Sequence, residues 1–80
     1  MIKQLASNMT RLRKNGVEIL FSYETPVAGY DEHGAFKTDR KFSPTTSRHI
    51  SKYFTNFCGY SSKQAREIPQ ADIEAKVRVI

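Results

Sequence analysis

Residues 9–23 read MTRLRKNGVEILFSY, with Asn15-Gly16 between two runs in which apolar and polar residues alternate. Asn-Gly accepts the positive φ angles of a two-residue type I′ turn, so the stretch predicts a β-hairpin of strands 9–14 and 17–23. With Asn15 and Gly16 as the turn, Lys14 faces Val17, Arg13 faces Glu18, Leu12 faces Ile19 and Thr10 faces Phe21. Side chains alternate across a strand, so this register gathers Leu12, Val17, Ile19, Phe21 and Tyr23 on one face and sets the Arg13–Glu18 pair on the other.

After the hairpin, Pro26 interrupts a continuous strand, and a short strand is expected to restart over 27–30. Asp31-Glu32-His33-Gly34 reads as a turn. From Ala35 to Phe42, Phe36, Thr38, Arg40 and Phe42 alternate with Lys37, Asp39 and Lys41, which predicts a strand over 35–42. The result is an antiparallel meander of about four strands. At Ser43-Pro44 the period changes: Ser suits an N-cap and Pro the first helical position. Ile50, Tyr53, Phe54, Phe57 and Cys58 then recur at helical spacing up to Gly59, a C-terminal stop. A helix over 44–58 is expected to lay Ile50, Tyr53, Phe54 and Phe57 on the sheet and leave Arg48, Ser51, Lys52 and Asn56 in water. The final stretch predicts a loop or short strand to Ile68 and a short helix from Pro69, over 69–78, although Lys76 to Ile80 also fits a strand. The fold class is α+β, with 1–80 as a single small domain.

Composition agrees with one modest core. A chain of 80 residues, 39% hydrophobic with five Phe and four Tyr, has material for one core and too little for two. Cys58 is the single cysteine, which excludes an intramolecular disulfide and fits a reducing cytoplasm. No window approaches the length of a membrane helix or a signal sequence, so neither export by that route nor membrane insertion is expected. A monomer or a small homo-oligomer is expected.

The distribution of charge says more than the net +5. Residues 1–39 hold five bases and five acids, whereas residues 40–66 hold Arg40, Lys41, Arg48, Lys52, Lys63 and Arg66 and no acid. Without internal neutralisation the potentials of neighbouring cations add, which suits a polyanion; a solvated basic face is the alternative. Inside this window Arg40, Lys41, Ser43, Thr45, Thr46, Ser47, Arg48, His49 and Lys52 crowd the junction of a strand with a helix N-terminus. Unpaired backbone N–H groups and the helix dipole favour an anion there, and the first turn has no Asp or Glu to fill that role. Equally, Ser43 can serve as a simple cap with Arg48 in solvent. Phosphate or nucleic-acid contact is therefore assigned to this set.

Tyr30 and Tyr60, beside turns, are candidates for stacking on nucleobases, while Tyr23 and Tyr53 fall on apolar faces and are expected in the core. No nucleophile–base set, carboxylate pair or metal-ligand spacing emerges: His33, His49 and Cys58 are scattered, so no catalytic residue, metal or cofactor is assigned.

The segments Leu20 to Ala28 (LFSYETPVA) and Ser43 to Ile50 (SPTTSRHI), with Lys41 and Pro69-Gln70, resemble a group of small bacteriophage proteins carrying similar "LFSYETPVA" and "SxTTS(K/R)HI" segments. The resemblance covers about half the chain. It implies a viral origin and a host-cytoplasm setting, and no particular activity. Two classes of function follow: a non-enzymatic nucleic-acid or phosphate-binding protein acting through residues 40–52, and a phage inhibitor or counter-defence protein that binds a host protein or sequesters a nucleotide signal.

Overall fold

The Asn15-Gly16 turn forms in the register derived above: Lys14 pairs with Val17, Arg13 with Glu18, Leu12 with Ile19 and Thr10 with Phe21. In the computed structural model, which describes residues 2–59 and 61–79, this hairpin is the middle of a larger sheet. The strands are β1 (Ile2–Ala6), β2 (Met9–Lys14), β3 (Val17–Ser22), β4 (Thr25–Asp31), β5 (Gly34–Thr38) and β6 (Arg66–Ile68), lying in that order. β1 to β5 form an antiparallel meander, and β6 joins the edge parallel to β5. Between β5 and β6 lies helix α1 (Pro44–Lys52), and helix α2 (Gln70–Val79) closes the chain.

Alternation along β3 separates two cores. Leu20 joins Met9, Val27, Ala28, Tyr53 and Phe54 under α1, while its neighbour Ile19 joins Phe36 and Ile73 under α2. The sheet is thus covered by one helix on each face, a helix–sheet–helix sandwich. Gly29 is required where the layers close: a Cβ there would lie 1.9 Å from the Glu18 carbonyl oxygen and 3.0 Å from the Phe36 ring.

Several local expectations are corrected. The sheet has six strands rather than about four: β1 adds an edge ahead of the hairpin, and the short strand allowed up to Ile68 is β6, which joins β5 in parallel ahead of the helix expected from Pro69. β4 runs through Pro26, at a register shift where Leu20 pairs with Ala28 and Phe21 with Pro26. Val27 is the extra residue of this bulge, so Val27 and Ala28 both join the α1-side core. β5 stops at Thr38, whose hydroxyl accepts the Arg40 N–H at 3.1 Å and turns the chain out of the sheet, so 39–42 is not strand.

β3 stops at Ser22. Tyr23 adopts φ +58 in the turn, its N–H donates to the Asn8 carbonyl at 2.7 Å, and its ring is 51% exposed rather than in the core. Ser43 caps α1 as expected, accepting the Thr46 N–H at 3.1 Å, with Pro44 in the first turn. From Tyr53 to Cys58 the helix widens to π geometry before Gly59, at φ +82, ends it. The wider turn brings residues five apart onto one face, so Cys58 packs on the core beside Tyr53 and Phe57 turns outward, 45% exposed.

The polar partner of that helix is Glu18, only 3% exposed in the middle of the sheet. Its Oε1 accepts from Arg13 Nε at 2.9 Å, Arg13 Nη2 at 2.7 Å and the Tyr30 hydroxyl at 3.2 Å; its Oε2 accepts from the Tyr53 hydroxyl. Burial, and then the bond to Glu18, hold the Tyr53 phenol far above its usual range, so it stays protonated and donates. On the other face Asp31 ties down α2 and β6: Lys76 Nζ donates to it at 2.7 Å and Arg66 Nη2 at 3.4 Å. Burial opposes its charge, but the hydrogen bonds from Lys76 and from the His33 N–H outweigh burial and lower the Asp31 pKa.

Tyr53→Phe removes one donor from a buried carboxylate while keeping the ring. It is expected to cost about 1.5–3 kcal/mol in urea unfolding. Combined with Glu18→Gln in a double-mutant cycle, it should show a coupling of about 1 kcal/mol or more; additive losses would show that the pair contributes nothing jointly.

Candidate functional site

The acid-free window begins in the linker after β5 and runs along α1. Arg40, Lys41, Ser43, Ser47, Arg48 and Lys52 are exposed, and Thr45 is half-buried at the helix start. Arg48 Nη2 reaches one turn back to the Thr45 hydroxyl at 3.5 Å, and the Arg40 guanidinium lies 5.8 Å from the centre of the Phe42 ring. Among the described residues none of Arg40, Lys41, Arg48 and Lys52 forms an ion pair. Arg66 differs: it belongs to the same window but is committed to Asp31 and to the His33 carbonyl.

Thr46 and His49, grouped with the exposed residues in the sequence, face inward. The Thr46 hydroxyl is buried, 3.1 Å from Ser22 Oγ and 3.3 Å from Ser43 Oγ, and His49 Nδ1 lies 2.7 Å from the same Ser22 Oγ. These bonds fasten the start of α1 to the end of β3. The outer face therefore consists of Arg40, Lys41, Thr45, Ser47, Arg48 and Lys52, with Ser43 as cap.

Beside this face a cleft of about 210 Å³ runs between α1 and the β5–β6 edge, with Ser47, Ser51 and Ser62 among its lining. Asp39 and Glu67 also line it beside Lys37, Arg40 and Lys41, so the cleft is mixed in charge, and Arg48 and Lys52 lie outside its lining. Tyr30 does not present a free ring edge: half-buried, it donates to Glu18 and accepts from Arg13 Nη2 at 3.3 Å. Tyr60 lies outside the described residues. The exposed rings near the basic face are instead Tyr23, against His49 at 5.7 Å between ring centres, and Phe42, 40% exposed. The alternation of β3 gave no sign of Tyr23, because its exposure comes from a left-handed turn conformation that non-glycine residues seldom adopt.

A second concavity, about 380 Å³, is lined by Arg13, Glu18, Tyr30, Phe57 and Cys58. Its carboxylate is saturated with donors, and the Cys58 thiol is pushed up, chiefly by burial, which disfavours a reactive thiolate. Among the described residues no three of His, Cys, Asp and Glu cluster as metal ligands, and no helix is long and apolar enough to cross a membrane.

His49 is pushed down, first by burial and then by the charges of Lys52 and Arg48. Its folded pKa lies below the unfolded value, so between the two the unfolded chain binds the extra proton. Stability from this group is full above about pH 6.5 and is lost as pH falls toward the folded pKa. Melting curves should therefore weaken between pH 7 and 5, by no more than about 1.4 kcal/mol per pH unit, the ceiling for one proton. His49→Gln should flatten that slope.

Searches of curated proteins and of solved structures return no match. A family model does match, over residues 2–75, which takes in every strand and all but the last residues of α2. The chain belongs to that family, described as a family of unknown function (DUF8033).

Proposed function

We propose that this chain is a small non-enzymatic binding domain that contacts the phosphates of nucleic acid through the segment 40–52. The observation that supports it is the set of four exposed cations, Arg40, Lys41, Arg48 and Lys52, with no carboxylate partner among the described residues. Elsewhere Arg13, Arg66 and Lys76 are neutralised by Glu18 and Asp31, and what distinguishes these four among the cations without an ion pair is that they lie close together in one acid-free segment. Thr45 and Ser47 add hydroxyl donors in the same segment. Contacts of this kind neutralise phosphates and release counterions, giving affinity with little sequence preference. Thr46 and His49 act beneath the surface, holding the helix that carries the cations. The resemblance to phage proteins supports a setting for such contacts in the cytoplasm of an infected host.

A second reading, an inhibitor that docks on a host protein, is favoured by a different surface. β1 is a sheet edge with Ile2 71% exposed, and Ile2, Leu12, Phe21 and Tyr23 line an apolar groove beside it. Exposed edges accept added strands from partners. On this reading Leu12→Glu, rather than loss of the cations, should abolish capture of a stoichiometric host protein from nuclease-treated lysate.

Labelled DNA and RNA should bind at low salt and weaken steeply as salt rises. In Arg40→Ala/Lys41→Ala/Arg48→Ala, the slope of log affinity against log salt should fall by about three. Binding that stays flat with salt, or survives the triple substitution, would overturn the phosphate reading.

A further inference from the structure

We infer that the nucleic acid this surface takes is single-stranded, with Tyr23 and Phe42 serving as stacking surfaces for unpaired bases; the inference rests on the phosphate reading above. Two exposed aromatic residues come from distant parts of the chain to the helix that carries Arg48 and Lys52, Tyr23 against His49 and Phe42 under the Arg40 guanidinium. Tyr23 follows Ser22 and Phe42 precedes Ser43, and both serines lie within hydrogen-bond distance of the Thr46 hydroxyl, at 3.1 Å and 3.3 Å. The last residue of β3 and the cap of α1 thus meet at one side chain, which brings the residues next to them, Tyr23 and Phe42, to the same end of the helix.

The rings are held differently from core aromatics. Tyr23 takes φ +58, an unfavourable conformation for a tyrosine that the Asn8 carbonyl holds by accepting the Tyr23 N–H. In the turn it lies half exposed, against the His49 ring and at the end of the apolar groove lined by Leu12 and Phe21. Phe42 is outside the sheet in the linker, with the Arg40 guanidinium over its ring. A strand whose phosphates run past Arg40, Lys41, Arg48 and Lys52 would bring its bases to these two rings.

A duplex cannot use them in this way, since its bases are already stacked on one another. Single strands bind by combining a cationic track with aromatic faces, because every base offers a π-face. Charge favours the same arrangement. Glu24, exposed and next to Tyr23, repels a phosphate there but not an uncharged base.

The test is fluorescence anisotropy with labelled oligo-dT, oligo-rU and a matched DNA duplex, run across salt. It is paired with quenching of tyrosine emission, which is unobscured because the chain has no tryptophan. Tyr23→Asn removes the ring while keeping a residue that tolerates left-handed backbone, Tyr23→Phe keeps the ring, and Phe42→Ala alters the linker alone. The expected result is a single strand bound about tenfold tighter than the duplex, with Tyr23→Asn and Phe42→Ala each losing about tenfold for the single strand. Their salt slopes and duplex affinities should be unchanged, Tyr23→Phe should bind as the parent, and Tyr23→Asn should lose part of the quenching. The dT and rU arms distinguish DNA from RNA, and tight binding of either carries the inference. Equal affinity for strand and duplex, or ring variants that bind like the parent while Arg48→Ala weakens binding, would overturn it and leave the phosphate reading standing. No binding of any nucleic acid at low salt would overturn both.

Discussion

A carboxylate shut inside a sheet must be compensated on every lone pair, and Glu18 imposes that demand on the elements around it. Removing such a charge from water costs several kcal/mol, offset only where donors of good geometry converge. Here they come from β2 through Arg13, from β4 through Tyr30 and from the helical segment through Tyr53. Glu18, Leu20 and Ser22 point to the same side of β3, so α1 meets a row that is polar at both ends and apolar between. Thr46 and His49 engage the Ser22 end and Tyr53 the Glu18 end, which sets α1 antiparallel to β3. The spans agree: four residues of strand cover about 13 Å and seven of helix about 10.5 Å, a difference within side-chain reach.

That fastening determines what is left for the outside. Once Ser43, Thr46 and His49 are turned toward β3, helical spacing directs Thr45, Arg48 and Lys52 away from the sheet. The proposed interface is thus the complement of an internal hydrogen-bond chain. The segment Ser43 to Ile50 serves both roles, with inward and outward residues interleaved at helical period, so a motif read without the fold mixes them.

The central hairpin was legible because Asn15-Gly16 is a local signal with one geometric solution. The N-cap at Ser43 and the stop at Gly59 were legible for the same reason. Leu20, by contrast, interrupts the flanking alternation and belongs to the other core, under α1. What escaped depends on partners remote in sequence. A short strand up to Ile68 was legible as an alternative to a loop, but its parallel place beside β5 was not, because three residues carry no signal of their partner. Pro26 stays in β4 because a bulge accommodates it, and that bulge is a property of the pair. The widening at Tyr53 breaks the period that placed Phe57 inward, and Tyr23 left the core through a turn whose chemistry has no signature in tyrosine. The acid-free window was visible as composition, but which of its cations are free was not: Arg66 is held by Asp31, 35 positions away.

The order of the sheet also bears on how the chain acquires it. From β1 to β5 each strand lies beside its neighbour in sequence, joined by short turns, so closing each hairpin costs little loop entropy. β6 must instead wait for the whole of α1 to cross the sheet, and α2 can cover its face only after that. A ribosome would therefore release the meander first with the Glu18 side chain still wet, and the carboxylate would lose its water only when Tyr53 arrives. The polar centre that orients the finished molecule thus becomes dry only after the meander around it has closed, with Ala65 still to join the same core.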